Sequence, residues 1–139
     1  MIDKVLAFVD DTAITLSEFE EVYSNTAKIK PDIKREEVLN TMLNRILLLR
    51  EAKKLRIESS TEDGIIKEYI ELKIKTFIKV TEYDIREFYD KSRSEFGQAD
   101  LDDVRDKIED YLVENQVNRR LKMHIEELRS KAYMKVIGR

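Results

Sequence analysis

The stretch from Met42 to Ile57 limits this chain more than any other segment. At helical spacing Leu43, Ile46, Leu47 and Leu49 line one broad face, and Leu48 makes the flank apolar as well. A helix apolar over most of its circumference has to be surrounded by other elements. In a chain of 139 residues, 40% of them charged, that stretch is expected to be the central strut of the fold.

The segments on either side predict what surrounds it. Val5 to Val9 is a short apolar run ending at Asp10-Asp11, and Ala13-Ile14-Thr15 follows at once, which reads as a tight hairpin. Thr15 and Glu18 then form a capping-box pattern opening a first helix from about Leu16 to Asn25, with Phe19, Val22 and Tyr23 turned inward. Pro31 marks a loop, because a proline pushes its predecessor out of helical geometry. The second helix covers roughly Arg35 to Leu55.

Ser60-Thr61-Glu62-Asp63 starts a third helix, with Ile66, Ile70, Ile74 and Phe77 at helical spacing and Ile65, Tyr69 and Leu72 widening the stripe. Thr81 to Asp84 opens a fourth, with Ile85, Phe88 and Tyr89 inward. Gly97-Gln98-Ala99 is a loop. A long helix then runs from Leu101 to about Lys131, acidic in its first turn and basic in its last, as the macrodipole favours. Its apolar stripe (Leu101, Val104, Ile108, Leu112, Val117, Leu121, Ile125, Leu128) falters at Glu114-Asn115-Gln116, which suggests a bend or an exit from the core. Tyr133 to Ile137 reads as a terminal strand, and its available partners lie near the N-terminus. The expected class is mainly α, with about five helices and a small antiparallel sheet joining the N-terminal hairpin to the C-terminal strand. The chain reads as a single module over 1–139, with the hairpin and four helices in 1–96 and the long helix and returning strand in 100–139.

That long helix carries a consequence for assembly. At 1.5 Å per residue it is about 45 Å long, against roughly 37 Å for a compact globule of this chain length. It is expected to project or to pack on a second copy, with terminal strands or helices exchanged between chains in a homodimer.

Composition removes several function classes. Zero cysteines exclude disulfides and thiolate chemistry. Formal net charge is -3, with both signs interleaved along the helices, so nucleic acid has no dedicated basic surface despite Lys53-Lys54 and Arg119-Arg120. No segment approaches the ~20 apolar residues of a membrane span, and no export signal is apparent.

Catalytic constellations are equally scarce. His124 is the sole histidine; without a second histidine or a cysteine to share a metal, it reads as a solvated helix residue. The carboxylates sit at helix starts or on polar faces, where capping explains them. With glycine at positions 64, 97 and 138 alone, no phosphate-cradling loop can be written. No catalytic, metal or cofactor site is expected. Met42, Tyr69, Phe77, Phe88, Tyr89 and Met123 are candidates to line a cleft for unfolded segments, since methionine and aromatic surfaces adapt to varied apolar partners. The plainer reading of each, at helical spacing, is ordinary core.

Three segments, joined by the C-terminal one, carry a family resemblance. Asp3 to Asp11 leading into Ile14 to Phe19 is similar to the opening hairpin and first capped helix of the SurA-like chaperones. Leu43 to Ile57 resembles the central helix of that family's N-terminal module, whose fold is related to the C-terminal region of trigger factor. Val80-Thr81 through Ile85, Phe88-Tyr89 and Phe96 resembles the helix that leads, in longer relatives, into a parvulin prolyl isomerase domain. The last helix and Ala132 to Ile137 look like the segment that closes back on the hairpin.

Between Phe96 and Asp100 a domain of roughly a hundred residues cannot be fitted, so isomerase activity is not implied. The stretch between Ile57 and Ile65 is also shorter than in larger members. The resemblance implies an ATP-independent chaperone of the periplasm or cell envelope that binds unfolded, outer-membrane or secreted polypeptides. The alternatives are a structural or assembly protein using the same fold to dimerise, and a cytoplasmic location.

Overall fold

A computed structural model describes residues 3–137; Met1, Ile2, Gly138 and Arg139, which the single-module reading includes, lie outside the described residues. The elements in chain order are β1 (Val5–Val9), β2 (Thr12–Thr15), α1 (Leu16–Ile29), α2 (Arg35–Lys54), α3 (Glu62–Lys73), α4 (Glu82–Lys91), α5 (Leu101–Lys131) and β3 (Met134–Val136). The fold is mainly α, with five helices and one small antiparallel sheet in the order β2-β1-β3. The hairpin and the last strand therefore do meet, within one chain.

Local chemistry accounts for most boundaries. Asp10 takes a positive φ of 50° in the two-residue hairpin turn, a conformation that aspartate tolerates better than most side chains. The expected capping box forms, and the Thr81 start turns out to be a second one. Thr15 accepts from the Glu18 N–H while Glu18 accepts from that of Thr15, and Thr81 and Asp84 repeat the exchange at α4. Asp100 and Asp103 do the same at the start of α5. Helix α1 runs one turn further than expected, to Ile29, because nothing breaks it before Lys30-Pro31. Ile29 in that added turn is 89% exposed, and Val22, expected to turn inward, is instead exposed as well.

Helix α3 ends earlier than its apolar spacing suggested. The α-ladder stops at Lys73, and a 3-10 turn over Lys75–Phe77 follows. Side chains advance by a different angle in that tighter geometry, so Phe77 leaves the stripe and is 63% exposed. Helix α5 runs without interruption through Glu114 to Gln116. Gln116 and Val117 are half-buried, and at about 100° per residue Leu112 and Leu121 fall on opposite sides of the helix, so the apolar stripe changes side across this stretch.

Contacts group the chain into two compact units. One comprises residues 1–69 with 124–139, and the other residues 70–123. The first has its core between the sheet and the first two helices: Ala7, Val9, Ile14, Phe19, Val38, Leu43 and Leu47 are buried, with Leu128, Met134 and Val136 packed against them. Along α2, no residue from Met42 to Ala52 is exposed. The second unit has its core at Ile85, Tyr89 and Ile108, flanked by Phe88, Phe96, Val104 and Leu112.

Candidate functional site: an amphipathic cleft beside an edge strand

In the first unit, a cleft of about 540 Å³ opens between the start of α2 and the edge strand β3. Its apolar wall is built from Leu6, Phe19, Leu39 and Leu43. Leu6 reaches it because β1 changes register between Val5 and Ala7. Such a bulge re-aims a side chain, and Leu6 packs against the same core as Ala7 and Val9. Phe19 stacks on Tyr23 with ring centroids 6.0 Å apart, and the Arg35 guanidinium lies over both rings, at 4.9 and 5.1 Å. Arg35 is also paired with Glu20, whose carboxyl is held below its ordinary value by that contact.

The far side of the cleft is strand and cation. Met134, Lys135 and Val136 of β3 line it, together with Arg129 from the last turn of α5. Arg129 donates from Nη1 to Oδ1 of Asn44 at 2.7 Å and from Nη2 to Oδ1 of Asn40 at 3.2 Å. Both partners are neutral amides. Among the described residues no carboxylate pairs with Arg129 in a salt bridge, so no described side chain neutralises its charge.

A smaller cleft, about 260 Å³, lies between Asp10, Arg50, Glu51, Lys54 and Lys131. It is a charged crevice whose cations and carboxylates largely answer one another: Arg50 pairs with Asp10 at 2.6 Å, and Lys54 with Glu51 at 2.7 Å. It offers little apolar surface.

The six candidate contact residues fall in different places. Met42 is half-buried against the core of the first unit. Tyr69 is 1% exposed and its hydroxyl meets Nε2 of His124 at 2.6 Å. His124 is accordingly not a solvated helix residue; it is half-buried and satisfied by that tyrosine. Burial, followed by the Glu51 carboxylate, pushes the Tyr69 hydroxyl up to about 12.

Phe88 and Tyr89 are brought together in the second unit. Phe96 lies edge-on to Phe88 at 6.2 Å and stacked on Tyr89 at 5.3 Å. The Tyr89 hydroxyl donates to the Ala99 carbonyl at 2.6 Å. Tyr69 and Tyr89 thus serve as core, because each is enclosed and has no free surface for a client. Phe77 and Met123 are 63% and 62% exposed.

None of the six lines the larger cleft. The pair Asn40 and Asn44 was the available signal for it. Two amides spaced four apart share one face of the helix and call for a polar partner, and Arg129, one step past Leu128, is that partner. Among the described residues no group of three or more histidine, cysteine, aspartate or glutamate side chains converges to hold a metal ion, and no helix is long and apolar enough to cross a membrane. Compared with known proteins, the chain matches no family model, and no curated protein matches it.

Proposed function

We propose that this protein is an ATP-independent, SurA-like chaperone module, without an isomerase part, that holds non-native polypeptides at the bacterial cell envelope. The observation that carries the reading is the cleft of the first unit. An apolar wall is flanked by Arg35, Arg129 and Lys135, with Glu36 beside them, and this suits a segment that is mostly apolar but still attached to a polar chain. A holdase of this kind works by lowering the free concentration of aggregation-prone unfolded chains. The charged exterior keeps the complex in solution.

The order of elements supports the same reading: a capped hairpin, an enclosed central helix and a last strand that returns to the hairpin. Clients are unfolded outer-membrane or secreted proteins. At equimolar ratio the protein is expected to slow the light-scattering rise of such a client diluted from urea, with no nucleotide present. Unchanged aggregation at large excess would contradict the reading.

A second reading, homodimeric assembly, is favoured by the 31-residue α5 with Tyr111 and Met123 exposed along it. Sedimentation equilibrium that fits a monomer at tens of micromolar removes it.

A further inference from the structure

We infer that the cleft captures its client as an added, antiparallel fourth strand on β3, with an acidic side chain of the client placed against Arg129. This rests on the polypeptide-binding reading above and specifies its mode. The Ile137 N–H donates to the Leu6 carbonyl at 2.8 Å, and the Asp10 N–H donates to that of Tyr133 at 2.7 Å. Residues 133, 135 and 137 therefore turn their main-chain groups toward β1. Antiparallel alternation turns those of Met134 and Val136 the other way. Strand β3 is an outer strand of the sheet, and among the described residues no strand pairs with that side.

Unpaired donors and acceptors at a sheet edge are a template for another extended chain. Here the side chains of Met134 and Val136 also line the cleft. A strand added antiparallel places alternate side chains on their face, over the apolar wall. The same face carries the charge instruction. Arg129 is half-buried with two amide partners and, among the described residues, no carboxylate. A carboxylate is the group that its guanidinium binds best. The remaining charges at the rim are Lys135, Glu36 and the Arg35–Glu20 pair, two of each sign, so Arg129 leaves the rim with one cation in excess. The occupant is an extended segment of a non-native protein with apolar residues at alternate positions and one aspartate or glutamate among them. Because β3 has three residues, the ladder is brief, and the cleft side chains must supply the rest of the affinity.

The test is anisotropy of the full chain with a short dye-labelled peptide that alternates valine and threonine and carries one glutamate in the valine series. The valines share a face with Met134 and Val136, so their own N–H groups meet β3. N-methylation of the valines is expected to weaken binding about ten-fold or more, whereas N-methylation of the threonines is tolerated. Exchanging the glutamate for glutamine is expected to weaken it by a similar factor. Arg129→Gln should remove that difference while leaving the circular dichroism spectrum unchanged.

Equal binding of all methylated peptides would overturn strand addition. So would suppression of client aggregation with no preference among the peptides, and in either case the chaperone reading would stand. A dimer that Val136→Pro dissociates, with peptide unbound, would give the edge to a second copy and overturn the inference. Neither peptide binding nor aggregation suppression would overturn both.

Discussion

Asp10 and Tyr133 hold each other at two points: the Asp10 N–H donates to the Tyr133 carbonyl at 2.7 Å, and the Tyr133 N–H donates back to Oδ1 of the Asp10 carboxylate at 2.8 Å. Arg50 of α2 donates to the other carboxylate oxygen at 2.6 Å. One turn residue thereby fastens the hairpin, the returning strand and the central helix. The strand it fastens is also the one that borders the cleft, so the clasp bears on function as well as on fold.

Acid should loosen this clasp. The Tyr133 N–H, and after it the Arg50 guanidinium, hold the Asp10 carboxyl below its ordinary value. A carboxyl whose folded pKa lies below the unfolded one contributes fully above about pH 4 and loses that contribution as pH falls through the folded value. Amide protection factors at residues 133–137 are expected to drop as pH falls below about 4. In Asp10→Asn they start lower and vary less with pH. Identical profiles in the two proteins would mean that Asp10 does not govern the strand.

The enclosed helix predicts a steep contrast between two leucine-sized side chains. Leu43 is 2% exposed in the core of the first unit, and truncating such a side chain costs about 2–5 kcal/mol. Ile29, almost fully exposed at the end of α1, should cost under about 0.5 kcal/mol when changed to alanine. Urea denaturation of Leu43→Ala and Ile29→Ala measures both. Similar costs would contradict the position of the core.

The two threonine capping boxes make equal and separable demands. Thr15→Ala and Thr81→Ala are each expected to cost about 1 kcal/mol. In a domain of this size that is about 3 to 5 °C in Tm. Scanning calorimetry of both variants checks this, and no change for either would mean that its cap is not made in solution.

Tyr69 gives a prediction at the alkaline end. Its hydroxyl, pushed up to about 12 by burial and by Glu51, keeps its proton in the folded chain after an unfolded tyrosine has lost its own near pH 10. Its raised folded value means that stability present below about pH 10 is lost as pH rises toward 12. Tyr69→Phe removes the bond to His124, costs about 1 kcal/mol at neutral pH, and flattens the alkaline slope. Urea midpoints between pH 9 and pH 11 in the two proteins decide it; parallel slopes would show that another group is responsible.

The fold was largely legible because its signals are local. The Thr15 and Thr81 boxes, the Asp10-Asp11 turn and the apolar girth of Met42 to Ala52 are properties of short segments, and the returning strand had a single region available to pair with. The cleft was not legible in the same way. Leu6 enters it through a bulge, and Arg129 through contacts to Asn40 and Asn44 that lie 89 and 85 residues away in the chain. Aromatic content pointed instead to Tyr69 and Tyr89, whose rings are what the cores consume. Periodicity reports which face a side chain is on, not whether another element covers it.

Residue-level mapping of a bound client tests the central claim most directly. Titrating the isotope-labelled full chain with an unfolded, aggregation-prone polypeptide should shift the NMR signals of Leu6, Phe19, Leu39, Leu43 and Met134 to Val136, together with the Arg129 side chain. Signals of the enclosed Tyr69 and Tyr89 should stay in place. Shifts absent from those cleft residues at saturation, or gathered around Phe77 and Met123 instead, would contradict the account.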